Sequence, residues 1–174
     1  MAFSALLVMA QAASVASNPS LGIAEGRCRT DEAGPAFIVT IAGLKDRAGS
    51  LKLEVYPSND VDFLQDDNLL LNAGKVFRRA VMPVPQSGTP TMCIRVPAPG
   101  DYSLSLLHDR DNNRKFNFTG DGIGFAGNPR LHWSKPKAAS TRAHAGSGLT
   151  PITIVMNYRT GLASFGPLKS GGSK

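Results

Sequence analysis

The sequence predicts an all-β fold, a single antiparallel β-sandwich of about seven strands. Three observations predict it. Apolar residues alternate with polar ones in several short runs, the period of a strand with one buried face. The 18 glycines and 12 prolines among 174 residues are spread along the chain, which suits frequent turns better than helices. Long helix-forming stretches, heptads and internal repeats are missing from the pattern. At this length one domain around one core is expected. A closed barrel is the alternative architecture.

The elements follow in order. Residues 1 to 16 read as a signal peptide. Phe3 to Ala10 form its apolar run, and small residues suited to cleavage follow at Ala10-Gln11-Ala12 and Ser14-Val15-Ala16. No Lys or Arg precedes Arg27, so a basic n-region is not seen. The run is far shorter than the ~20 apolar residues a transmembrane helix needs. Export to the periplasm or the outside is therefore expected. Residues 17 to 35 are polar, with Pro and Gly, and read as a partly mobile segment.

The sandwich is expected over residues 36 to 160. "AFIVTIAGL" (36–44) alternates Phe37, Val39 and Ile41, and "LKLEVYP" (51–57) alternates Leu51, Leu53 and Val55 against Lys52, Glu54 and Tyr56. With "KDRAGS" as the turn between them, a hairpin is the natural pairing. Val61, Phe63 and Leu64 can anchor the long connection 58–74. "KVFRRAVMPV" (75–84) and "TMCIRVP" (91–97) are two more strands, "APGDYSLSLLHD" (98–109) a fifth and "TPITIVMNY" (150–158) a sixth. "GIGFAG" or "RLHWS" can supply the seventh. Residues 161 to 174 read as a flexible basic tail. An immunoglobulin-like or prealbumin-like arrangement accommodates these strands.

Cys28 and Cys93 are the only cysteines. Paired, they would close a loop of roughly 65 residues and stabilise the fold by about 4 kcal/mol in the chain-entropy model. Unpaired, Cys93 is a buried strand residue and Cys28 idles near the terminus. Spacing does not decide between the two.

The net charge of +6 is placed unevenly. All 13 acidic residues lie at or before Asp121, whereas Arg130, Lys135, Lys137, Arg142, Arg159, Lys169 and Lys174 follow it. A basic final third attracts anionic material, and for an exported chain that means envelope polymers before nucleic acid.

The string "HDRDNNRKFNFTGDGIGFAGNP" (108–129) carries a likeness. With Pro99, Gly100 and Tyr102 ahead of it, it presents His108, Asp109, Asp111, Asn113, Gly122, Gly124, Phe125 and Asn128 in the order "pGxYxxxxxHDxNxNG…GxGF…N". In this the chain resembles the bacterial secreted domain-of-unknown-function family 2141, over about residues 36 to 158. The family's Gly after Asn113 is Arg114 here, and the link to "GxGF" is shorter. The resemblance implies a compact exported β-sandwich and assigns no activity.

Asp109, Asp111 and Asn113 match positions 1, 3 and 5 of a calcium loop, with Asn117 at position 9 and Asp121 one place late for position 12. Position 6 should be Gly and is Arg114. Arg110, Arg114 and Lys115 also neutralise the three carboxylates, which leaves little field for a divalent ion. A turn in which Asp and Asn side chains accept backbone N–H groups explains the residues better. "GIGFAG" matches G-x-G-x-x-G but lacks the strand before, the helix after and the downstream acid of a dinucleotide site, so its glycines are read as permitting positive φ or close backbone contact.

His108 and Asp109, adjacent on a strand, point to opposite faces and cannot act as base and orienter. His108, His132 and His144 are too dispersed for a zinc set, and no nucleophile–base set can be assembled. Trp133 beside basic residues can stack on a sugar ring, or it can lie in the core.

The expected function is a non-catalytic, exported, envelope-associated binding or accessory module for an anionic or carbohydrate polymer. Its candidate contacts are His108, Asp109, Asn113, Phe125, Asn128 and Trp133. The alternative is a calcium-stabilised structural or adhesive domain using Asp109, Asp111, Asn113, Asn117 and Asp121. No other cofactor is expected.

Overall fold

The computed structural model describes residues 14–132, 134–162 and 164–168. Over these the chain is nearly all β, with ten strands in two facing sheets. The strands are β1 (Ala36–Ala42), β2 (Ser50–Pro57), β3 (Arg78–Pro83), β4 (Thr91–Arg95), β5 (Gly100–Asp109), β6 (Gly122–Phe125), β7 (Arg142–Ala145), β8 (Leu149–Val155), β9 (Asn157–Arg159) and β10 (Phe165–Pro167). Two short helices, α1 (Ile23–Gly26) and α2 (Asp67–Asn72), and a 3-10 turn (Ala138–Thr141) complete the elements.

The small sheet has the order β4-β1-β8, and the large one β10-β9-β6-β5-β2-β3. Ten-residue β5 is its spine. Residues 102 to 109 pair with β2 on one edge, while the other edge is shared between β7, at 100 to 103, and β6, at 105 to 108. Between the sheets, Phe37, Val39, Ile41, Met92, Ile94 and Ile154 face Leu51, Leu53, Val55, Leu104, Leu106 and Tyr158. These residues carry the alternation seen in the sequence, and each such buried side chain contributes roughly 1.5–3 kcal/mol.

The structure corrects the expected pairing. β1 and β2 are not a hairpin: β1 lies between β4 and β8, and β2 between β3 and β5, so "KDRAGS" crosses from one sheet to the other. Nor is the sandwich wholly antiparallel, because β1 and β8 run parallel. "ITIVMNY" is two strands, with Met156 as the step from β8 in the small sheet to β9 in the large one. "GIGF" is a strand, β6, and residues 126 to 132, directly after it, form no helix.

The large sheet is covered on its outer face as well. The connection after β2 folds back over it, and Tyr56, Phe63, Leu70, Phe77, Phe125 and Ala138 form a second buried cluster. Tyr56 meets Phe63 and Phe77 edge-on at centroid distances of 5.6 and 5.5 Å, and Phe63 meets Phe125 at 5.9 Å. Of the polar alternates of β2, Glu54 and Tyr56 are therefore buried and must be paired. Arg79 binds Glu54 at 2.8 Å and Asp67 at 3.2 Å, and the Tyr56 hydroxyl donates to Glu54 at 2.8 Å. Burial and the Glu54 charge hold the Tyr56 phenol well above its ordinary pKa.

Residues 17 to 35 carry more structure than a mobile leader. Cys28 and Cys93 form a disulfide that joins this segment to β4, and α1 packs against β3 and β4. In the expected tail, Phe165–Pro167 add β10 to the sheet. No helix among the described residues is long and apolar enough to cross a membrane.

Candidate functional site

At the end of β5 the chain leaves the sandwich through the loop 109–121. Asp109 accepts the backbone N–H groups of Asn113 at 3.1 Å and Arg114 at 2.8 Å. Asp121 accepts those of Arg110 at 2.9 Å and Asn117 at 2.8 Å. Asp111 takes the backbone and side-chain N–H of Asn113. Asn113 and Asn117 turn their own carbonyl oxygens to the N–H groups of Lys115 and Thr119. Arg110 ties the loop to Asp46 and to the Gly120 carbonyl.

Of the calcium set, Asp109, Asp111 and Asp121 come together, with ligand atoms within 4.8 Å of one another. Every one of their carboxylate oxygens already accepts an N–H, and Asn113 and Asn117 are engaged likewise. Burial, with Asp111 close by, raises the Asp109 carboxyl above its ordinary pKa. Asn112 and Arg114 adopt φ of 58° and 68°, so Arg114 takes the left-handed conformation for which the resembling family has Gly.

His108 points the other way, into the core, and is fully buried. Its Nε2 lies 2.8 Å from the Ala48 carbonyl, an acceptor, so this nitrogen carries the hydrogen. Its Nδ1 is then bare and accepts the Tyr158 hydroxyl at 2.6 Å, while the Tyr158 oxygen accepts the Lys45 N–H at 3.1 Å. Three groups that would otherwise be unpaired close into one neutral chain. Desolvation lowers the His108 pKa and raises that of Tyr158 to about 12.

"GxGF" belongs to the same construction. A Cβ at Gly122 would stand 2.3 Å from the Tyr158 ring, and one at Gly124 would stand 2.5 Å from Ile154 Cγ2. These glycines serve close approach, not positive φ. His108 is thus a core residue, and the expectation that it contacts ligand is corrected: both ring nitrogens are occupied and no surface reaches it. Asp109 and Asn113, expected as ligand contacts too, hold the loop's backbone.

Asp109, Asn112 and Arg114 also border a groove of about 560 Å³, and a second groove, of about 790 Å³, lies on the outer face of the large sheet. Ile123 and Phe125 of β6 and Asn157 of β9 form its base, and Phe116, Phe118 and Phe165 form one side. Phe118 and Phe165 stack at 5.2 Å, Phe116 meets Phe165 edge-on at 6.0 Å, and the Arg159 guanidinium lies 5.8 Å above Phe118. Arg130, His132 and Lys135 supply the titratable side chains of the lining, and no acidic residue is among them.

Phe125 and Asn128, two of the expected contacts, border this groove. Phe125 is buried and serves as base. The Asn128 amide donates to the Thr153 carbonyl at 2.9 Å and accepts the Val155 N–H at 2.7 Å, so it caps the edge of β8 as a strand neighbour would. Trp133 lies outside the described residues. Phe116, Phe118, Arg130, Asn157 and Phe165 were not singled out from the sequence. The available signal was two phenylalanines in the polar run "KFNFTG", where a plain turn has no use for them.

No curated protein and no solved structure matches this chain. A family model does, over residues 39–153, a span that runs from within β1 to within β8 and contains the capped loop and the glycines beneath Tyr158, while β9 and β10 lie beyond it. The chain therefore belongs to the family described as uncharacterized protein conserved in bacteria (DUF2141), in agreement with the resemblance read from "HDRDNN" and "GIGF".

Proposed function

We propose that this protein is an exported, non-catalytic binding module of the cell envelope that holds an anionic carbohydrate polymer in the groove. The observation that carries the reading is the groove's lining: a stacked aromatic platform together with basic side chains and no acid. Aromatic faces receive the C–H face of a sugar ring, and basic side chains in a concave site attract negative charge. Export is supported by the apolar run Phe3 to Ala10 and by the Cys28–Cys93 disulfide, since such bonds persist in oxidising compartments. The non-catalytic reading is supported by His108, whose two nitrogens hold the core together.

Binding of the mature protein to acidic polysaccharides at low and high salt tests the reading. Salt-sensitive binding that Phe165→Ala weakens is the expected result, and no binding to any acidic polymer at low salt removes it. The calcium-stabilised alternative draws on the convergence of Asp109, Asp111 and Asp121. It requires a rise in melting temperature at millimolar calcium; an unchanged melting temperature discards it.

A further inference from the structure

We propose, resting on the groove as the ligand seat, that the unit it reads is a sugar bearing a carboxylate, a uronate residue of an acidic polysaccharide. Among the described residues Arg130, His132, Ser134 and the Asn157 oxygen line the groove without a protein partner, and two of these define the ligand.

The first is the carbonyl oxygen of Asn157. Its amide nitrogen donates to the carbonyls of Ile123 and Val155, both at 3.2 Å, and this fixes which end of the amide is which. No donor among the described residues reaches the oxygen. Among the described residues no buried side-chain polar atom lacks a partner, so this oxygen reaches open space, and the groove is the space that Asn157 lines. An apolar chain laid along the base would seal an unsatisfied acceptor beneath it. A hydroxyl-bearing ring would satisfy it. The groove therefore suits a sugar better than an acyl chain, although much of its lining is apolar.

The second is the Arg130 guanidinium, which is exposed and makes no hydrogen bond or ion pair with any described residue. Lys135, by contrast, donates to the carbonyls of Asp60 and Phe63 and lies over the Phe63 ring. Arg130 is thus the guanidinium of the lining that is free of protein partners, one planar fork that matches one planar carboxylate. A densely charged sulfated or phosphorylated chain would call for more free donors than the groove offers. Phe116, Phe118 and Phe165 border the seat with apolar surface against which the C–H groups of a sugar ring can pack.

Calorimetric titration of the mature full chain tests this with four polymers: polygalacturonate, its fully methyl-esterified form, dextran sulfate and neutral dextran. Polygalacturonate is expected to bind, with the methyl ester at least about tenfold weaker. Arg130→Ala should bring polygalacturonate down to the level of the ester without changing the melting temperature, and Arg130→Lys should restore part of the loss. Equal binding of the ester overturns the proposal, because the carboxylate is then unread. Dextran sulfate binding as tightly as polygalacturonate also overturns it, while leaving the broader reading of an anionic-polymer module in place. Failure of all four polymers to bind removes both.

Discussion

Replacing Tyr158 with Phe removes one oxygen and leaves the ring where Gly122 makes room for it. The oxygen sits in the middle of a chain that runs from the Lys45 N–H through Tyr158 and His108 to the Ala48 carbonyl. Its loss orphans the bare Nδ1 of a fully buried imidazole and deprives the partly buried Lys45 N–H of its acceptor. An unsatisfied buried group costs about 1–3 kcal/mol, and the half-exposed amide adds less, so Tyr158→Phe should destabilise the fold by about 2–4 kcal/mol. For a domain of this size that lowers the melting temperature by roughly 4–16 °C. Urea unfolding monitored by circular dichroism measures it, with the midpoint expected to fall and the slope to stay unchanged. A loss below about 0.5 kcal/mol would refute the hydrogen-bonded chain as a stabilising device.

The same chain sets a pH dependence. Because the folded state depresses the His108 pKa below its ordinary 6.5, its contribution is complete above pH 6.5 and is lost as the pH falls through the interval beneath it. Asp109 runs the other way, its raised folded pKa favouring the fold as it protonates, so replacing His108 with Gln should flatten the decline near pH 6 but not the behaviour in stronger acid. Gly122→Ala drives a Cβ into the Tyr158 ring and should cost more than about 2 kcal/mol, read as a lowered urea midpoint. Arg114→Gly relieves a left-handed backbone at an arginine and should raise stability by about 0.5–1 kcal/mol in the same assay. Reducing Cys28–Cys93, or replacing both with Ser, should cost about 4 kcal/mol on the loop-entropy model, measured as the midpoint difference with and without reductant.

Most of the strands were legible in the sequence. Phe37, Val39 and Ile41, Leu51, Leu53 and Val55, and Leu104 and Leu106 alternate because one face of each strand meets the opposite sheet. Alternation reports a face and says nothing of the neighbour or its direction. For that reason the β1–β2 hairpin was the natural expectation, and the parallel contact of β1 with β8 left no trace. β7 and β10 span only four and three residues, too few for a period to show. The second cluster was hidden because Glu54, Asp67 and Arg79 look like solvated residues until their mutual pairing is seen.

The site divides in the same manner. Capping by Asp109 and Asp121 is local chemistry and could be read from residue type and spacing. His108 could be placed on a strand, but its partners Ala48 and Tyr158 are distant in the chain. The groove draws on the 116–118 loop, β6, β9 and β10, and only the fold brings these together.

The most direct measurement is a backbone-amide NMR titration of the mature protein with a short oligogalacturonate. Shifts concentrated at residues 116–118, 130, 157 and 165 are the predicted result. Shifts spread thinly over every basic surface, or gathered at the 109–114 loop instead, would contradict a ligand seat on the outer face of the large sheet.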